Sequence, residues 1–163
     1  MSAPVVRPAV GADAPALAAL SGELGYPVEA RPMAARVAEA ALDPTRRVLV
    51  AELGGRVVGW LEWAERATLE SGRTAEITGL VVGAPWRSAG VGRCLVEHAA
   101  REACGRGFTA LRVRTNEVRT RTHGFYEKQG FRLAKSQRVY ALDLDMDLGP
   151  GPGAGGTGRA DPP

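Results

Sequence analysis

The run "LVVGAPWRSAGVGRCLVEHAA" (residues 80–100) decides how the chain reads. Its first three residues are apolar and strand-like, and they stop at Gly83-Ala84-Pro85. A turn of small residues containing Gly90 and Gly92 leads into a helical pattern, with Val91, Leu95, Ala99 and Ala103 on one stripe. A glycine turn between a strand and a helix is a place to hold an anion. The first amides of a helix lack internal acceptors, the helix dipole favours negative charge there, and glycine lets a phosphate approach the backbone. A tight turn in which glycine merely spares strain is the alternative at this point. Two nucleotide-binding patterns are excluded: a dinucleotide fingerprint needs a third glycine or alanine where Leu95 stands, and a P-loop needs Gly-Lys-Ser/Thr.

Upstream of this run, residues 4–8 read as a short strand, with Asp13 as an N-cap and Pro15 in the first turn of a helix carrying Leu17, Leu20 and Leu24. A second helix is expected over residues 29–42, stopping before Asp43-Pro44. "RRVLVAELGGRVVGWLEWA" (residues 46–64) is a hairpin signal, two β-rich runs around Gly54-Gly55. A polar loop over residues 65–74 and a strand over residues 75–82 follow. Downstream, the helix runs to about Cys104, and Gly105 and Gly107 end it. A strand over residues 109–116, a helix near residues 119–129 and a last strand or two over residues 131–145 complete the pattern. The order predicts an α/β domain with a mixed, mostly antiparallel central sheet flanked by helices. Its βαβ crossover through residues 75–116 must be parallel and right-handed. The domain is expected over residues 1–148. Residues 149–163, rich in glycine and proline, are expected to be a disordered tail.

Composition bounds the function. The chain has 163 residues, enough for one domain with a real core. Its 21 basic and 18 acidic residues leave a net charge of only +3, too small a bias to argue for nucleic acid. Six arginines fall between Arg101 and Arg121, which suits either a solvated face or an anionic ligand nearby. The first residues lack the apolar core of a signal peptide, and no apolar run approaches the roughly 18 residues of a membrane span. A cytoplasmic location without membrane partners is the expectation. Cys94 and Cys104, on one predicted helix about 15 Å apart, cannot pair and are expected to be small core residues. No metal site is expected.

Two stretches resemble the GNAT family of acetyltransferases. "RSAGVG" (Arg87 to Gly92) resembles the family's Gln/Arg-x-x-Gly-x-Gly/Ala signature, which also follows a strand and opens a helix. "TNEVRTRTHGFYEKQGF" (residues 115–131) resembles its later Asn…Phe/Leu-Tyr-Glu-x-x-Gly-Phe motif. The likeness runs over most of residues 4–145. It implies acetyl-CoA as co-substrate, with the pyrophosphate on the amides of Arg87, Ser88, Ala89, Gly90, Val91 and Gly92 and with Arg93 beside them. It implies that the backbone of Leu80, Val81 and Val82 pairs with the pantetheine arm, in a gap made by splaying the parallel strand pair. Gly79 fits the family's bulge at this point; a glycine making room for Trp60 or Trp63 is the alternative. Asn116 is placed to bond the CoA moiety. The chain departs from a common family pattern in having Arg119 and Thr122 where many members have a second Asn and then Ala.

The chemistry that the resemblance implies is acetyl transfer to a primary amine of a small molecule or peptide, by direct attack in a ternary complex. An alkylammonium with a pKa of ~10 is about one part in a thousand free amine at pH 7, so a base or water wire helps. Glu76, read as in phase with Thr78, Leu80 and Val82, is the candidate base, a solvated carboxylate being the alternative. The amide of Val82 is the candidate for the thioester oxygen. Tyr126 matches the family's tyrosine that protonates the leaving thiolate; packing within a helix is its other reading. His98 and His123 read as structural. By the family's layout the acceptor is lined by Tyr26, Trp63, Leu69 and Glu70. A non-catalytic acetyl-CoA-binding module is the competing function, and a homodimer is compatible with either.

Overall fold

The computed structural model describes residues 3–143. The expected tail over residues 149–163 lies outside the described residues. The chain divides into a unit ending at Phe131 and a second beginning at Arg132. The first contains strands β1 (Val5–Pro8), β2 (Arg46–Leu53), β3 (Arg56–Thr68), β4 (Gly72–Val82) and β5 (Leu111–Val113), and helices α1 (Ala14–Glu23), α2 (Ala30–Leu42), α3 (Val91–Gly105) and α4 (Thr120–Lys128). The sheet order is β1-β2-β3-β4-β5, antiparallel except for the parallel β4–β5 pair joined through α3.

Successive strand side chains point to opposite faces of the sheet, and apolar residues cover both faces. Leu49, Ala51, Val58, Leu61, Trp63, Ala75 and Ile77 form one buried cluster with Val91, Leu95, Ala99 and Ala103, the stripe of α3 read from the sequence. On the other face Val50 packs with Leu17 of α1 and Val37 of α2, and Val57 and Trp60 join them. Leu95 is wholly buried, a transfer worth about 2 kcal/mol. Arg7 of β1 donates to both oxygens of the buried Asp13 at 2.8 and 2.9 Å, which fixes the start of α1. This pairing holds the Asp13 carboxyl below its usual range.

Several expectations change. Residues 65–74 are not a loop: β3 runs to Thr68 and β4 starts at Gly72, because cross-strand pairs such as Arg73 with Glu65 extend the hairpin in solvent. β5 keeps only three residues. The segment from Arg132 to Asp143 carries no strand; alternating apolar residues mark a segment able to pair and do not supply its partner. Cys104 is exposed and Cys94 half-buried, so neither is a core residue. α3 buries its 91-95-99-103 stripe, and Cys104 falls to one side of it.

Candidate active site

The turn between β4 and α3 has the form of an anion cradle. After Val82 the chain makes a short 3-10 turn over Ala84–Trp86. Ser88 and Gly90 then take positive φ of 69° and 80°, and Gly90 caps α3. Glycine at 90 is favoured by that left-handed conformation. Its effect is to present amides outward. The N–H groups of Ser88, Gly90, Val91, Gly92 and Arg93 have no acceptor among the described residues, while those of Arg87, Ala89 and Cys94 are bonded to Ala84, Trp86 and Gly90. No acidic side chain occupies the first turn of α3, and no side chain caps it. Five open donors at the positive end of a 15-residue helix suit a phosphate-like group.

The side chain of Arg87 turns away from these amides. Its Nε donates to the Val82 carbonyl at 3.1 Å and its Nη2 to Glu23 of α1 at 3.3 Å. Glu23 also accepts the Ala84 amide at 3.0 Å, so the end of α1 fastens the turn. Arg93 lies along the helix, paired with Glu97.

Beside the cradle the parallel pair opens. β4 and β5 pair only at Ala75–Leu111, Glu76–Arg112 and Ile77–Val113. The next residues of β4 carry a bulge: Trp63 opposes Ile77 and Glu62 opposes Gly79, so Thr78 is the extra residue. Both readings of Gly79 hold together. A Cβ there would stand 2.7 Å from the Trp60 ring, so the glycine that sits in the bulge also makes room for the indole. The bulge corrects the expected phase of the strand. Leu80 and Val82 pack on the α3 face with Ile77, and Glu76 faces the other side. Beyond the bulge, the Val81 carbonyl is directed at Gly59 of β3, and Gly83 donates to Val58. By alternation, Leu80 and Val82 point their N–H and C=O groups towards the unpaired side.

α4 closes the α3 side of this opening. Phe125 covers Gly92, whose Cβ would meet the ring at 3.1 Å. Tyr126 packs edge-on between Phe125 and Phe131 with 7% of its surface exposed. Burial pushes its phenol up to about 12, so it is fully protonated at neutral pH. Asn116 lies beyond β5. Its side chain accepts the Val118 amide at 3.1 Å, and its carbonyl takes His123 Nε2 at 3.0 Å and the Arg119 amide. Glu76 is 7% exposed, with Oε2 taken by Arg114 at 3.2 Å and Oε1 facing Arg66 at 3.7 Å.

The four residues expected to line the acceptor do not come together. Trp63 is wholly buried on the α3 face, edge-on to Phe108, with its indole N–H on Glu102. It is a core residue, because the bulge sets its side chain inward with Ile77. Leu69 and Glu70 form the exposed tip of the β3–β4 hairpin. Tyr26 is exposed just after α1, whose end touches the far end of β4 through Glu23. The ten steps of β4 put about 33 Å between those ends.

Sequence reasoning missed a polar cleft of about 390 Å³ lined by Asp43, Thr45, Arg46, Glu62, Ala64, Glu65, Arg66 and Thr78; both oxygens of Glu65 are taken by Arg73. The alternation of Glu62, Ala64 and Arg66 was its only signal, and only strand pairing brings Arg46 beside it. Among the described residues no group of three or more His, Cys, Asp or Glu could hold a metal ion, and no helix is long and apolar enough to cross a membrane.

Comparison with known proteins shows the family and the fold. The profile of the acetyltransferase (GNAT) family matches residues 15–131. No curated protein matches the sequence. Among solved structures, the aminoglycoside acetyltransferase AAC(6')-Iy bound to a bisubstrate analogue, CoA-S-monomethyl-acetylneamine, has a TM-score of 0.79 at 16% identity, covering 88% of this chain and 100% of that one. A ribosomal-protein-alanine N-acetyltransferase from Brucella melitensis biovar Abortus 2308 has a TM-score of 0.69 at 20% identity, covering 86% and 100%. A transcriptional regulator from Bacillus halodurans C-125 has a TM-score of 0.76 at 23% identity, again covering 86% and 100%. At these identities the likeness is one of fold. The family profile spans most of the chain and includes the β4–α3 turn, and on that ground the chain belongs to the GNAT family of acetyltransferases.

Proposed function

We propose that the protein transfers an acetyl group from acetyl-CoA to a primary amine by direct attack in a ternary complex. The observation that carries this reading is the run of five unpartnered amides from Ser88 to Arg93, beside an unpaired stretch of β4 at Leu80 and Val82. The amides and Gly90 suit the pyrophosphate, with Arg87, Ala89 and Arg93 framing the turn. Of Leu80, Val81 and Val82, the N–H and C=O of Leu80 suit the pantetheine arm and the Val82 amide suits the thioester oxygen, while Val81 faces β3 and the Val82 carbonyl accepts from Arg87. Asn116 shapes the loop after β5 through its side-chain oxygen and its carbonyl, which leaves its side-chain NH2 to bond the CoA moiety.

In this reading the amine nitrogen bonds to the acetyl carbon, the C–S bond breaks, and the thiolate takes a proton. Tyr126 is the donor. A phenol held at about 12 is a weaker acid than a free tyrosine, so its contribution falls at the low end of general acid catalysis, about 10²-fold. Glu76 approaches from the opposite face of the sheet with both oxygens engaged by arginine. It therefore suits orienting a water or the ammonium better than taking the proton directly.

The test uses calorimetry with acetyl-CoA and acetylpantetheine, which has the thioester and the arm but no pyrophosphate. Two charge-assisted hydrogen bonds at about 1.5–3 kcal/mol each predict at least 10²-fold tighter binding of acetyl-CoA. Equal affinities would refute the cradle. Thiol release that depends on an added amine separates transfer from binding alone.

A further inference from the structure

The acceptor-side cleft has a charge pattern that speaks to the class of amine. Arg46 pairs in register with Ala64, Ala64 with Glu76, and Glu76 with Arg112, so one row crosses β2, β3, β4 and β5. Paired residues turn their side chains to the same face. Leu111 and Val113 pack on the α3 side, so Arg112 projects to the other side with Glu76. Glu62 and Arg66 flank the row on β3, and Arg114 reaches back to Glu76. The row lies just past α2, whose last turn leads to Asp43 at the rim of the cleft.

These charges do not cancel locally. Arg46 is engaged with Glu62 through two bonds of 2.9 and 2.6 Å to one carboxylate oxygen. Glu76 alone answers the other three arginines. Arg114 holds it at 3.2 Å, Arg66 only at 3.7 Å, and Arg112 makes no ion pair among the described residues. Arg66 and Arg114 are 55% and 74% exposed, so their guanidinium edges are open to a ligand. On the other side of the cleft, Glu62 keeps its second oxygen unbonded, as does Asp43, whose first oxygen is taken by Thr45. The cleft therefore offers carboxylate at Asp43 and Glu62 and a free guanidinium at Arg66, and Arg114 stands next to Arg66 outside the lining, since the two face the two oxygens of Glu76.

We propose that the acceptor is a zwitterion of the amino-acid class, with its carboxylate held by Arg66 and Arg114 and its ammonium drawn towards Glu62 and Thr78. This deepens the acetyl-transfer reading and rests on it. Planar guanidinium groups suit a carboxylate with two parallel bonds. A volume of about 390 Å³ holds an amino acid with room for its side chain. Thr78 lines the cleft and stands two residues from Leu80, about 7 Å along the strand, so an amine there is within reach of the β4 opening. Polycations such as aminoglycosides and polyamines would bring several ammonium groups against Arg66, Arg112 and Arg114. The likeness to aminoglycoside acetyltransferases therefore does not extend to the acceptor. In the reaction the amine gives up one proton before attack, its nitrogen bonds to the acetyl carbon, and the C–S bond breaks. The first proton passes to water, Tyr126 protonates the departing thiolate, and the nitrogen's second proton restores the phenol.

The experiment measures thiol release at saturating acetyl-CoA with the twenty L-amino acids and four decarboxylated counterparts: cadaverine, agmatine, tyramine and histamine. Kanamycin and O-phosphoethanolamine complete the panel. At least one amino acid is expected to exceed its decarboxylated counterpart, or any amine of the panel, by 10-fold or more in kcat/KM. Arg66→Ala should raise KM for that amino acid 10-fold or more, with acetyl-CoA affinity and melting temperature unchanged. Arg66→Lys should restore part of the loss. Cadaverine or kanamycin equal to the best amino acid would overturn the proposal, and so would an Arg66→Ala KM within twofold of wild type. O-phosphoethanolamine as best acceptor would overturn the amino-acid class in favour of an amine bearing a phosphate. Acetyl-CoA binding without thiol release from any compound would also overturn the amino-acid class. Absence of acetyl-CoA binding would instead remove the acetyl-transfer reading beneath it.

Discussion

Gly79→Ala tests whether the bulge in β4 is a packing requirement. The added Cβ would stand 2.7 Å from Trp60 Cζ3 and 2.8 Å from Cη2. Ordinary carbon contacts are about 3.5–4.0 Å, so the ring must withdraw by roughly 0.7–1 Å. It has little room, because it packs against the buried cluster of Leu17, Val37 and Val50. Overpacking of this kind costs about 1–3 kcal/mol, and the lower chain entropy of alanine in the unfolded state returns about 0.4–1. A net loss of about 1–2 kcal/mol corresponds to a fall of about 2–8 °C in Tm at this chain length. The assay is urea and thermal unfolding of wild type, Gly79→Ala, Trp60→Leu and the double variant. Trp60→Leu alone should cost about 2–4 kcal/mol by leaving a cavity. In that background the alanine should cost almost nothing, giving a coupling of about 1–2 kcal/mol. Acetyl-CoA affinity should fall in Gly79→Ala and recover in the double variant, since the bulge aims Leu80 and Val82 into the gap. A Gly79→Ala protein within 0.5 kcal/mol of wild type would refute the reasoning. The same loss with and without the tryptophan would also refute it.

Three further outcomes follow from the same geometry. Tyr126→Phe keeps the ring between Phe125 and Phe131 and removes the donor, so kcat should fall about 10²-fold with acetyl-CoA affinity unchanged; wild-type turnover would leave the tyrosine a packing residue. The raised Tyr126 pKa favours the folded state below pH 10, and that contribution is lost between pH 10 and about 12. Two units amount to roughly 2–3 kcal/mol, which an unfolding series in Tyr126→Phe should lack. Arg7→Met strands the buried Asp13 and should cost about 3 kcal/mol at pH 7; because Arg7 lowers the Asp13 pKa, its contribution fades as pH falls below the usual carboxylate range, and urea midpoints at pH 7 and pH 3 should converge for variant and wild type.

Much of the fold was legible in the sequence because it is written in local periodicity. The fourfold spacing of Val91, Leu95, Ala99 and Ala103 predicted the buried stripe of α3, and Gly54-Gly55 predicted the β2–β3 hairpin, since each signal depends on neighbours a few residues apart. The glycine turn before α3 was equally local: a left-handed residue at Gly90 and a helix start are enough to free its amides. The acceptor side was illegible for the opposite reason. A single extra residue at Thr78 reverses which face of β4 each later side chain meets. That reversal separates Glu76 from the phase of Leu80 and Val82. The same irregularity seats Trp63 in the core beside Ile77, where an acceptor cannot reach it. The cleft joins Arg46 of β2, Glu62 and Arg66 of β3 and Thr78 of β4, residues distant in sequence whose meeting is decided by register. Backbone chemistry at a turn is thus specified within a short window of sequence. A charge pattern laid across a sheet exists only once the strands have paired.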